Sequence, residues 1–124
     1  MTDAALRGRR ILVVEDEMLL AMEMESLLEQ QGCVVLGPAS DVARAMHLLE
    51  KERPDAAVLD LNLKGVHSTA VAASLAARNV PFVIVTGYGE AQSTDKEWQG
   101  RPRLSKPVTE RALVRALAGI LGAG

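Results

Sequence analysis

Five residues of this 124-residue chain could do chemistry together: Glu15, Asp16, Asp60, Thr86 and Lys106, each placed where a short strand-like stretch ends. Three carboxylates brought to one place repel one another unless a cation joins them or one is protonated. Hard oxygen ligands with room for water suit Mg²⁺, which takes one or two carboxylates together with phosphate oxygens; Mn²⁺ is the second candidate ion. A carboxylate that attacks a phosphoryl group forms an acyl phosphate. The spreading charge on the phosphoryl oxygens then needs cations and donors, which Mg²⁺, Lys106 and the Thr86 hydroxyl would supply. A plainer reading exists for each residue alone. Asp60 could simply cap a helix or open a turn, Thr86 could end a strand, and Lys106 could pair with surface acids.

The elements around these residues decide how they meet. Ile11–Val14 is apolar and β-rich, and gives way at once to Glu15-Asp16-Glu17. Leu20, Met24, Leu27 and Leu28 then form one helical stripe, stopped by Gly32. Cys33–Leu36 reads as a second strand closed by Gly37-Pro38, and Ser40 as the cap of a helix carrying Val42, Met46 and Leu49 that ends before Pro54. Ala56–Asp60 is the third strand, Ser68–Arg78 an Ala-rich helix, and Val80–Val85 the fourth strand. The polar stretch 90–100 supports at most a short, weak helix, with Trp98 as either a satellite core residue or a partner anchor. Arg103–Ser105 is a marginal fifth strand, and Thr109 caps a last helix with Leu113, Leu117, Ile120 and Leu121 on one face. Alternating strand and helix imply an α/β fold: a five-stranded parallel sheet with helices on both faces. In such a sheet all strand C-termini share one edge, where ligands bind. Four of the five strands thus deliver polar groups to the same place; the second, ending in Gly37-Pro38, does not.

Composition bounds the function classes. Hydrophobic residues make up 48% and aromatics 2%, which favours an aliphatic α/β layer over a sandwich built on aromatic anchors. A net charge of -2 gives no basic field for direct nucleic-acid binding. No apolar run is long enough for membrane insertion and no signal-peptide core is present, so the expected location is the cytoplasm. The single cysteine, Cys33, reads as a small buried residue. His47 and His67 lack metal-like spacing and read as surface residues. Residues 1–8 read as a frayed lead-in and 9–122 as one domain, with no output domain after it. Leu19 and Met22 lie off the first helical stripe, either packed on another helix of the domain or forming a partner surface; that face, or the face of the last helix, is a candidate homodimer contact.

Ile11-Leu12-Val13-Val14-Glu15-Asp16-Glu17, Leu59-Asp60, Val85-Thr86-Gly87 and Ser105-Lys106-Pro107, in this order, resemble the receiver domain of two-component response regulators over residues 9–122. The resemblance implies a flavodoxin-like fold with strand order 2-1-3-4-5. It implies Asp60 as phosphoacceptor, Asp16 as a direct Mg²⁺ ligand, Glu15 acting through a metal-bound water, and the Asn62 backbone carbonyl as a further ligand. Thr86 and Lys106 would bind phosphoryl oxygens. Implied partners are a histidine kinase or histidine phosphotransfer protein and a downstream protein, with no turnover of an external substrate. Most receivers carry Tyr or Phe three residues before the Lys; here that residue is Arg103. The stretch Pro81–Gly89 instead resembles the subgroup with a Phe-Ala-Thr-Gly-Tyr motif, matching strictly only at Thr86-Gly87-Tyr88. Gly87, Tyr88 and Arg103 are therefore the switch candidates, and phosphorylation is expected to act on residues 86–100. Two alternatives are a degenerate receiver that serves as an interaction module and a haloacid-dehalogenase-type phosphatase. Asn62 stands where the latter needs a second Asp.

Overall fold

Side chains alternate along the central strands, and this sorts the apolar core into two layers. The computed structural model describes residues 4–87 and 98–122. In chain order the elements are β1 (Arg10–Val14), α1 (Met18–Gln30), β2 (Val34–Ala39), α2 (Val42–Lys51), β3 (Ala56–Asp60), β4 (Asn62–Leu63), β5 (Val66–His67), α3 (Thr69–Ala77), β6 (Phe82–Thr86), β7 (Arg103–Ser105) and α4 (Glu110–Leu121). Five strands form a parallel sheet in the order β2-β1-β3-β6-β7, while β4 and β5 pair separately as a small antiparallel hairpin. With the hairpin set aside, this is the expected 2-1-3-4-5 order. Leu12, Val14, Ala57, Leu59, Phe82 and Ile84 pack with α2 and α3 on one face. Ile11, Val13, Ala56, Val58, Val83 and Val85 pack with α1 and α4 on the other. The period of two that separates these sets also carries Glu15 and Asp60 to the α1/α4 side, since they continue the Ile11-Val13 and Ala56-Val58 series.

Several expected boundaries shift for physical reasons. β2 does not close at Gly37-Pro38 but runs on to Ala39. Its register with β1 slips between Leu12 and Val14, and pairing resumes where the Glu15 N–H donates to the Ala39 carbonyl at 2.9 Å. Gly37 has a φ of +90°, and a Cβ there would lie 2.7 Å from the Ala39 nitrogen, so only glycine fits the slip. The cap of α2 is Asp41, not Ser40: its Oδ1 accepts the Arg44 N–H at 2.8 Å. Thr109 caps α4 as expected, accepting the Ala112 N–H at 3.2 Å. β6 starts at Phe82 because the Val80 N–H is spent on the Leu75 carbonyl at the end of α3.

Of the expected lead-in, residues 1–3 lie outside the described residues, and residues 4–8 are not a frayed tail. Residues 4–8 form a turn that is tied down, with Leu6 fully buried. The Gly8 N–H donates to Gly32 and the Arg9 N–H to Leu6, at 2.8 and 3.0 Å. Cys33, buried as expected, donates its thiol to the Leu6 carbonyl, and burial pushes that thiol's pKa up. Trp98 is core: it is 1% exposed and meets Phe82 edge-on, ring centres 6.3 Å apart. Among the described residues Leu19 and Met22 are not packed against a helix; with Met18 they are exposed. His47 and His67 are exposed too. Among the described residues no helix is long and apolar enough to cross a membrane.

Candidate functional site

The strand registers bring the predicted residues together before any side chain is considered. Val14 pairs with Leu59, so Glu15 and Asp60 each lie one step beyond the same rung. Asp60 itself pairs with Val85, and Thr86 pairs with Ser105. The Lys106 N–H donates to the Thr86 carbonyl at 2.9 Å, which fixes where the lysine side chain departs. Its ammonium then reaches back over the sheet edge to Asp60 Oδ2 at 2.8 Å and Glu15 Oε2 at 3.5 Å. Carboxylate oxygens of Glu15, Asp16 and Asp60 all lie within 4.8 Å of one another.

The hairpin braces this acidic group from the side. The Asn62 N–H donates to Asp60 Oδ1 at 3.0 Å, and the Lys64 N–H to Asp16 Oδ2 at 3.1 Å. Asn62 Oδ1 accepts the Gly65 N–H at 2.7 Å and closes the turn, where Lys64 and Gly65 both take positive φ. The Asn62 side chain is thus committed to the turn. Thr86 and Gly87, half-buried, follow at the end of β6. Gly87 and Lys106 share an open cleft of about 630 Å³ with Glu17, Met18, Leu20 and Pro107. Arg103 lies opposite Ile84 in the edge strand β7, outside the acidic group. Tyr88 and nearly all of the stretch expected to switch, through Glu97, lie outside the described residues.

Electrostatically the site is over-supplied with acid. Glu15 and Asp60 are each 1% exposed. Burial pushes the Glu15 carboxyl up to about 8, with the neighbouring Asp60 adding to it, while the Glu17 N–H and Lys106 act in the other direction. Glu15 Oε1 is buried and has no hydrogen-bond partner among the described residues. For Lys106, burial works against the ammonium, but the bonds to Asp60 and Glu17 and the nearby acidic charges outweigh it and hold its pKa above the ordinary lysine value. One ammonium does not neutralise this set. An all-oxygen donor group with a buried, unsatisfied carboxylate oxygen suits a hard divalent cation.

Two residues in the site went unread in the sequence. Glu17 pairs with Lys106 at 2.5 Å, although nothing in its position after Asp16 distinguishes it from an ordinary helix-start acid. Ser68, fully buried, donates its hydroxyl to the Asp60 carbonyl at 2.5 Å and approaches the Leu61 carbonyl at 3.2 Å. Read as the first residue of a helix, it instead ties the start of α3 to the end of β3. Serine before a helix is so common a cap that its type alone does not reveal this.

Comparison with known proteins agrees with this arrangement. The model of the response regulator receiver domain family matches residues 11–118. The solution structure of SdrG from Sphingomonas melonis Fr1 is 44% identical, covers 96% of this chain and 99% of its own, and superposes with a TM-score of 0.79. SdrG is also known in a BeF₃-activated conformation, at a TM-score of 0.74 over 90% of this chain and 95% of its own. The receiver domain of sensor histidine kinase PA1611 from Pseudomonas aeruginosa PAO1, with a magnesium ion in its active site cleft, is 25% identical at a TM-score of 0.73 over 93% of this chain and 98% of its own. Among curated relatives, the phyllosphere-induced regulator PhyR of Methylorubrum extorquens is 33% identical over 107 residues, 84% of this chain and 40% of PhyR. The chain spans about half the length of the curated relatives it matches, 40% of one and 46% of another.

Proposed function

The chain belongs to the response regulator receiver family of two-component signalling, and from that premise we propose that Asp60 accepts a phosphoryl group from a histidine kinase or a histidine phosphotransfer protein. A carboxylate oxygen of Asp60 attacks phosphorus, a P–O bond forms, the P–N bond to the donor imidazole breaks, and the imidazole leaves with the electron pair. The Asn62 N–H orients the Asp60 carboxylate, and Lys106 and the Thr86 hydroxyl bind the phosphoryl oxygens. Asp16, Asp60 and the Asn62 carbonyl would hold Mg²⁺, with Glu15 acting through a water. The bound ion supplies the positive charge that lets a dianionic group approach three carboxylates.

The observation that carries this reading is the 2.8 Å contact of Lys106 Nζ with Asp60 Oδ2 beside two further carboxylates. The magnesium ion in the PA1611 receiver and the BeF₃-activated conformation of SdrG support it by similarity. Incubation with acetyl phosphate and Mg²⁺ is expected to add the mass of one phosphoryl group to the wild type and none to Asp60→Ala. An unmodified wild type, or equal modification of both proteins, refutes the assignment. A generic phosphomonoester is not turned over, because Asn62 carries no acid/base group. Phosphorylation then acts through residues 86–100, with Gly87, Tyr88 and Arg103 as the switch candidates, and so controls partner binding or phosphate relay. Unchanged amide exchange across that segment on addition of beryllofluoride would refute this second step.

A further inference from the structure

We propose that Glu17 is a built-in competitor for Lys106: its carboxylate holds the lysine in the unphosphorylated protein and must release it before a phosphoryl group on Asp60 is fully bound. The inference rests on the reading of Asp60 as phosphoacceptor. Lys106 Nζ contacts three carboxylates, Glu17 at 2.5 Å, Asp60 at 2.8 Å and Glu15 at 3.5 Å. An ammonium has three N–H donors and no more. Two donors are spent on Glu17 and Asp60, and Glu15 lies at ion-pair distance beyond them, so a phosphoryl oxygen competes with these carboxylates for the ammonium.

The three partners are not equally able to withdraw. Asp60 carries the phosphoryl group itself. The Glu15 side chain is fully buried, and its Oε2 also accepts the Glu17 N–H at 3.0 Å. The Glu17 side chain is 58% exposed, so water can take over its hydrogen bonds at little cost. An acid at a helix start is favoured by the helix dipole, but that role needs no contact with Lys106. Glu17 occupies the cap position of α1, yet its side chain makes no capping hydrogen bond. Glutamate's negative charge also opposes an incoming dianion. Competition and repulsion have the same sign: removing the carboxylate should strengthen phosphoryl binding.

The test is titration of the full chain with beryllofluoride at saturating Mg²⁺, followed by amide NMR, for wild type, Glu17→Gln, Glu17→Ser and Glu23→Gln. Glu23 lines the same cleft without contacting Lys106, so its variant reports the effect of charge alone. Serine is a favoured cap residue, which keeps a folded protein in hand if the glutamine variant loses helix stability. An exposed pair is worth enough for the Glu17 variants to bind beryllofluoride about two- to fivefold more tightly. The difference should shrink as salt rises, and the Lys106 ammonium resonance should shift in the free protein. Glu23→Gln should match the wild type. Unchanged or weaker binding in both Glu17 variants overturns the proposal, as does an equal gain in Glu23→Gln. A wild type that binds no beryllofluoride removes the phosphoacceptor reading itself, a result distinct from either.

Discussion

Replacing Glu15 by Gln should stabilise the protein, although it removes an ionisable residue from the middle of the site. The folded carboxyl titrates at about 8 against an ordinary value of 4.5. Between those values the folded state holds more protons than the unfolded state, so stability falls as pH rises through that window. Below about 4.5 both states are protonated and the penalty is absent; above about 8 it is present in full. The gap sets a ceiling of about 5 kcal/mol. Relaxation of the ionised side chain, and the lost contact with Lys106, reduce the expected gain to about 2–3 kcal/mol at pH 8. For a domain of this size that is roughly 10 °C in melting temperature. Glutamine keeps the shape and can still accept the Glu17 N–H.

The assay is urea unfolding of wild type and Glu15→Gln in chelator at pH 5 and at pH 8. Comparing the two proteins at each pH cancels every contribution they share. The variant's advantage should be several-fold smaller at pH 5 than at pH 8. Adding Mg²⁺ at pH 8 should stabilise the wild type and narrow the gap, because a cation removes the repulsion that the substitution removes. A variant less stable than the wild type at pH 8 without divalent ions, or a difference that does not change with pH, refutes the electrostatic account of the site.

Two further substitutions test the support around the site. Ser68→Ala leaves the buried Asp60 and Leu61 carbonyls without their hydroxyl donor and should cost about 1–2 kcal/mol in chemical denaturation, with slower modification of Asp60 by acetyl phosphate as the hinge between β3 and α3 loosens. Trp98→Ala removes a buried indole packed edge-on against Phe82 and should cost about 3–5 kcal/mol, whereas a partner-anchoring tryptophan would leave the unfolding midpoint of the isolated protein unchanged.

Much of the fold was legible because its signals repeat. Apolar runs in β1, β3 and β6 read as strands on their own, and the alternation that splits them into two core layers needs no tertiary knowledge. The site was legible for the same reason: in a parallel sheet, the residue after a strand has its position fixed by topology alone. What was missed depended on contacts between distant segments. Leu6 looked like part of a polar tail because one leucine has no period, and its burial follows from the turn that docks it beside Cys33 and Gly32. The run of β2 through Gly37-Pro38 depends on a register slip against β1, and the cap of α2 moved one residue because Asp41 and Ser40 are both competent caps. Trp98 was ambiguous because its partner Phe82 belongs to another element. Glu17 was invisible because its meaning comes from Lys106, 89 residues away.

Those residues give the site its physical logic. Among the described residues, Glu15, Glu17 and Asp60 gather around the Lys106 ammonium with Asp16 beside them, and Glu15 and Asp60 are almost wholly buried. A fold selected for stability alone would replace such a group with apolar residues of similar volume. Its retention at the edge of an otherwise aliphatic sheet makes sense if the repulsion is relieved by what binds. A divalent cation would lower the cost of the carboxylates, and a phosphoryl group would then find Lys106 and Thr86 already at the edge. In this view the free protein is held short of its most stable state by its own acids. Stability gained by Glu15→Gln measures what burial and the neighbouring acid cost the fold, and beryllofluoride affinity gained by Glu17→Gln measures the hold of Glu17 on Lys106.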